Sequence, residues 1–72
     1  MEEEKQQILD ALVVVLNKTN KGKNIIDLIW DEAWQTVKIV YLDGYVFEFM
    51  VNNVTGFQLI GEVIQVVKNE RN

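Results

Sequence analysis

Three threonines, Thr19, Thr36 and Thr55, are the only aliphatic hydroxyls in this chain, and with no histidine in the sequence none has an imidazole to serve as its base. Transfer chemistry through a side-chain nucleophile normally needs such a pair. Serine and cysteine are missing too, which removes a thiolate nucleophile, a disulfide framework, a redox motif and any cysteine–histidine metal site. Asp27, Asp31, Glu32 and Asp43 remain for acid–base or divalent-cation work. Nothing in their spacing brings two of them together in a pocket, as either chemistry requires. Asp31 and Asp43 stand where a turn uses a carboxylate to accept nearby backbone N–H groups. Lys18, Lys21 and Lys23 form the one local basic cluster and could touch phosphate, but a solvated loop accounts for them. The expectation is a protein that is not an enzyme, with no catalytic set, no cofactor and no metal.

Composition narrows the partners. The 72 residues suit one domain, with residues 1–4 and 70–72 expected to fray. The net charge is -4 and the single arginine is Arg71, a balance that repels phosphate backbones and anionic lipid. The opening Met1-Glu2-Glu3-Glu4 is the reverse of a basic signal region, and the longest apolar run, residues 11–16, is far below the ~20 residues of a membrane span. A cytoplasmic protein is expected, without membrane or nucleic-acid partners. Hydrophobic residues make up 49% of the chain, in a size class that buries only ~60% of its unfolded surface. Apolar area should therefore remain outside, and a second copy or another protein is its natural cover.

The elements that must position such a surface follow from periodicity. Residues 5–18 read as a helix with Ile8, Leu9, Ala11, Leu12, Val15 and Leu16 on one face. Val13 and Val14 spill beyond that stripe. Residues 56–69 read as a second helix, capped by Thr55, with Gln58 completing a capping box and Val54 stapled on Leu59. Its apolar residues cover about half the circumference, wider than the usual ~100° stripe. Between the helices, residues 36–41 and 45–51 flank Asp43-Gly44, a hairpin signal. A three-residue loop, Leu42-Asp43-Gly44, sorts both faces at once by setting Lys38 opposite Glu48 and Val37, Ile39 and Tyr41 opposite Phe49, Phe47 and Tyr45.

Residues 25–30 fit either a helix capped by Asn24 or a strand. The strand is favoured, because a lone two-stranded hairpin is marginal and because a loop over residues 31–34 would align Asp27, Lys38 and Glu48 across three strands. That register turns Ile26, Leu28 and Trp30 inward and Ile25, Asp27 and Ile29 outward. The fold expected is α+β, in the order α-β-β-β-α: a three-stranded antiparallel meander with two helices on one face. The inner face would hold Ile26, Leu28, Trp30, Val37, Ile39, Phe47, Phe49 and Val51.

The opposite face then presents Ile25, Val40, Val46 and Leu42 at one end, and Ile29, Thr36 and Met50 at the other, with the charge row between them. Either it is a docking face, or one helix lies on each side of the sheet and buries it. Trp34 reads equally as an exposed anchor and as a lid on the core. The candidate interface residues are Ile25, Ile29, Trp34, Lys38, Val40, Val46, Glu48 and Met50.

In element order the chain resembles double-stranded RNA-binding domains. Those need basic residues where the second helix begins, and this chain has Val54-Thr55-Gly56-Phe57-Gln58 there. A second resemblance rests on Leu28-Ile29-Trp30, Thr36-Val37-Lys38-Ile39, Tyr41-Leu42-Asp43-Gly44-Tyr45, Val54-Thr55-Gly56, Ile60 and Val63-Ile64. Over its last two thirds the chain is similar to small uncharacterised proteins of phages and mobile elements. That resemblance brings no catalytic residues. It implies a short protein that binds and blocks a host protein, such as a defence factor, in the host cytosol. The function expected is a homo-oligomeric protein-binding module, a homodimer or higher. A small-ligand binder with sites at the oligomer interface and an acidic nucleic-acid mimic are the alternatives.

Overall fold

A computed structural model describes residues 2–51 and 55–69 of the chain. Helix α1 spans Glu2–Leu16, starting at residue 2 rather than 5 and ending two residues before the expected 18. Its buried stripe is narrower than the apolar pattern suggests. Leu9, Leu12 and Leu16, at helical spacing, are buried, whereas Ala11 and Val15, expected beside them, are open to solvent. The helix stops in a tight polar loop. The Leu16 carbonyl accepts from both the N–H (2.9 Å) and the hydroxyl (2.7 Å) of Thr19. That hydroxyl oxygen also accepts from the Gly22 N–H at 2.9 Å. The fold-back brings Gly22 so close that a Cβ there would lie 2.5 Å from the Leu16 carbonyl oxygen. Only glycine fits.

Helix α2, Gly56–Asn69, matches the expected span. The capping box forms in both directions: the Gln58 N–H donates to Thr55 Oγ1 at 3.2 Å, and the Thr55 N–H donates to Gln58 Oε1 at 3.0 Å. The Val54 staple lies outside the described residues. Leu59, Val63 and Val67 are buried, and at the far end Lys21 Nζ donates to the Lys68 carbonyl at 3.2 Å, a favourable placing for a cation at a helix C-terminus. Thr55→Ala is expected to cost about 1 kcal/mol, measured as a shift of the urea midpoint with unchanged slope.

The middle of the chain is a strand in all three segments. β1 is Ile25–Asp31, β2 is Thr36–Tyr41 and β3 is Val46–Met50, antiparallel in the order β1-β2-β3. The β2–β3 register is the expected one, with Lys38 opposite Glu48, Val37 opposite Phe49 and Ile39 opposite Phe47. Gly44 sits at φ 92°, the left-handed bulge position of a three-residue loop.

The β1–β2 register differs. Ile29 lies opposite Lys38, Trp30 opposite Val37 and Asp31 opposite Thr36, with an irregularity between Ile25 and Asp27. The expected three-strand charge row therefore does not form, and Asp27 faces Val40. A shift of two residues keeps every side chain on its face, so Leu28 and Trp30 still point inward. The irregularity reverses the two isoleucines before it. Ile25, expected outside, is 1% exposed in the core, and Ile26, expected inside, is 54% exposed.

Both helices lie over the inner face. Leu9, Leu12 and Leu16 of α1 and Leu59, Val63 and Val67 of α2 form one cluster with Ile25, Leu28, Val37, Ile39, Tyr41 and Val51. Trp30, Phe47 and Phe49 border this core, half-buried. On the other face Ile29, Val46, Glu48 and Met50 are exposed, so an arrangement with one helix on each side does not hold.

Candidate functional site

The uncovered face follows from strand alternation: the side chains of Asp27, Ile29 and Asp31, of Thr36, Lys38 and Val40, and of Val46, Glu48 and Met50 all point away from the helices. Three rows run across it: Asp27, Val40 and Val46; Ile29, Lys38 and Glu48; Asp31, Thr36 and Met50. Lys38 and Val40, on the central strand, are half-buried, while Val46 and Met50 on β3 stand open, Met50 at 67%. Glu48 is anchored by its neighbour, its Oε2 accepting the Thr36 hydroxyl at 2.7 Å.

Trp34 projects at one end and is 73% exposed, so it is not a lid on the core. Its backbone is held by the turn. Asp31 Oδ1 accepts the N–H groups of Ala33 (3.0 Å) and Trp34 (3.3 Å), and Gln35 adopts a positive φ of 52° that returns the chain to β2. Trp34, Asp31, Thr36, Lys38, Glu48, Phe49 and Met50 together line an open cleft of about 520 Å³. Trp30, by contrast, belongs to the core border, its indole N–H donating to Glu32 Oε1 at 3.2 Å and its ring lying 5.4 Å below Lys5 Nζ.

Of the eight candidate interface residues, the structure gathers seven on this face or at its rim: Ile29, Trp34, Lys38, Val40, Val46, Glu48 and Met50. Ile25 is excluded by the irregularity in β1. Leu42 lies exposed on the hairpin loop.

Of the acidic residues considered for chemistry, Glu32 serves the Trp30 indole and the three aspartates serve the backbone. Asp27 Oδ1 accepts the Leu28 N–H at 2.9 Å and Asp43 Oδ1 the Tyr45 N–H at 3.1 Å. Among the described residues no group of three or more acidic side chains is placed to hold a metal ion. No described helix is long and apolar enough to cross a membrane.

A second apolar surface lies on the helix layer. Ile8 and Ile60 are shared by two adjoining grooves, one completed by Phe57 and Gly56, the other by Ala11 and Val15. Phe57 is 89% exposed. The wide apolar arc of α2 was the signal for this surface in the sequence. Its location was not, since it depends on which part of each arc the sheet takes.

No protein family, curated protein or solved structure is found to match the chain.

Proposed function

We propose that this chain is a non-enzymatic protein-binding module that acts by occupying a partner through the uncovered face of its sheet. The observation that supports this most is Trp34, an open indole on a backbone held by the Asp31 turn, at the end of an exposed face that also carries Ile29, Val46 and Met50. An exposed tryptophan beside apolar neighbours is a common form of interface anchor. The face carries Asp27, Asp31 and Glu48 against Lys38 alone, so the partner it fits presents an apolar patch bearing Lys or Arg. Inhibition of a host protein in the cytosol is the concrete form of this reading, and it draws on the likeness to phage proteins.

The test is to isolate the captured species from a host lysate and titrate it, purified, against variants. Trp34→Ala and Met50→Lys are each expected to weaken binding about tenfold or more. Phe57→Ser, on the opposite layer, should leave it unchanged. A species held equally by all three variants would sink the proposal.

The cleft beside Trp34 favours one other reading, a small-ligand site, since its volume falls in the range of such pockets. A bound mass that survives gel filtration, appears in a native mass spectrum and disappears in Trp34→Ala would move the function there.

A further inference from the structure

The two edges of the sheet are treated differently. At the β1 edge, which faces away from β2, several polar groups have side-chain partners. Gln6 Nε2 donates to the Leu28 carbonyl at 2.9 Å, Gln6 Oε1 accepts the Trp30 N–H at 2.9 Å, and Asp27 accepts the Leu28 N–H. Further along, Asn17 Nδ2 donates to the Ile25 carbonyl at 2.7 Å.

Among the described residues the β3 edge has no such dressing. Tyr45 and Val51 bond back across β2, and in an antiparallel ladder the same phase gives Phe47 and Phe49 to β2. The N–H and C=O groups of Val46, Glu48 and Met50 therefore point outward, and among the described residues no backbone bond reaches them. This strand carries no proline or bulge, and Glu48 is its one charge, so it has little of what proteins use to blunt an edge.

We infer that this edge pairs with the β3 edge of a second copy, antiparallel about a two-fold axis at Glu48, giving one continuous six-stranded sheet. Paired with its own copy about that axis, the strand Val46-Phe47-Glu48-Phe49-Met50 sets Val46 against Met50 and Phe47 against Phe49, apolar on apolar everywhere but the centre, the self-complementarity of an isologous contact. Centring on Glu48 pairs all five residues and satisfies all three outward residues on each copy. Shifted registers leave some of them unpaired or run into the Gly44 turn.

On the helix side Phe47 meets the other copy's Phe49 in the closer, non-hydrogen-bonded position. Within one copy these rings already stack at 6.2 Å. They are half-buried because α1 leans on β1, leaving the β3 end of the inner face thinly covered. On the outer face the centre of the row becomes Lys38, Glu48, Glu48, Lys38. Each carboxylate has its own lysine beside it, and the one unfavourable contact is Glu48 against Glu48.

That contact gives the inference a signed test, made on the purified chain without any partner and so independent of the proposed partner site. Sedimentation of the wild-type chain is expected to show a monomer–dimer equilibrium. Glu48→Gln removes like-charge repulsion and should tighten the dimer about 2- to 5-fold. Glu48→Pro removes only an outward N–H and no β2 bond, and should be monomeric with an unchanged far-ultraviolet spectrum. If the proline variant does not fold, hydrogen exchange of the wild-type chain decides. The amides of Val46, Glu48 and Met50 should become protected as concentration rises, while exposed loop amides do not. A strict monomer at millimolar concentration, an unprotected β3 edge in a dimer, or a dimer weakened by Glu48→Gln would each overturn it.

Discussion

Replacing Leu28 with alanine is expected to cost about 3–4 kcal/mol, within the ~2–5 range for deleting a fully buried leucine side chain. Leu28 has no exposed surface and faces Ile39 across the β1–β2 ladder, in the core cluster that both helices share. The site has little freedom to collapse into the space left, since the neighbouring core positions Leu9, Val37, Ile39, Leu59 and Val63 are also fully enclosed. A domain of this size holds only ~4–11 kcal/mol in total, so the loss is a large fraction of its stability. Thermal unfolding followed by circular dichroism should fall by roughly 15–30 °C, at ~4–8 °C per kcal/mol for a domain of this length. Leu28→Met, which conserves volume, should cost less than about 1.5 kcal/mol. Equal losses in the two variants would show that the side chain is not enclosed as described.

That leucine was legible as an inward strand residue from the sequence, and so was most of the fold around it. The β2–β3 hairpin could be read to the residue because one loop length alone satisfied both faces. The capping box at Thr55 and Gln58 was equally readable, since it depends on residues three apart. β1 was harder. Two registers differing by two residues put the same side chains on the same faces, so hydrophobic sorting could not choose between them. An exposed charge row, worth only ~0.2–1 kcal/mol, was too weak a guide.

The register is decided instead by the turn after Asp31. Its carboxylate gathers the Ala33 and Trp34 N–H groups, and Gln35 takes a left-handed conformation that no residue type announced. Ile25 and Ile26 are chemically alike, so no pattern could tell which of them the irregularity would bury. For the candidate site the consequence is limited. One of eight residues leaves the outer face, Ile29 moves beside Lys38, and Trp34 stands fully formed at the rim.

Gln6 shows what periodicity misses altogether. In the sequence Gln6 is one polar residue among others near the front of α1, and polarity carries no information about its partner. In the structure it bridges α1 to the outer edge of β1, accepting from the Trp30 N–H and donating to the Leu28 carbonyl, both at 2.9 Å. A second donation, to Asp10 Oδ1 at 2.9 Å, fixes the amide along its own helix. The side chain therefore does for β1 what a fourth strand would do: it uses one donor and one acceptor of the free edge. Removing it leaves a part-buried N–H and C=O unpaired together. Gln6→Ala is expected to cost about 2–3 kcal/mol, since each group so orphaned carries ~1–3 kcal/mol and partial access of water lowers the sum. Gln6→Met keeps the volume and the helix propensity but neither bond, so it should cost nearly as much as alanine. A methionine variant as stable as the wild type would show that the contact is packing alone. Amide exchange provides the local readout: in both variants the Trp30 N–H should lose protection before the β2 amides do, because the defect opens β1 from its helix side. The same reasoning explains why the other edge matters. Since the chain uses the Gln6 amide to close β1 and, among the described residues, places nothing comparable on β3, its two edges differ, one sealed by the chain itself and one left open.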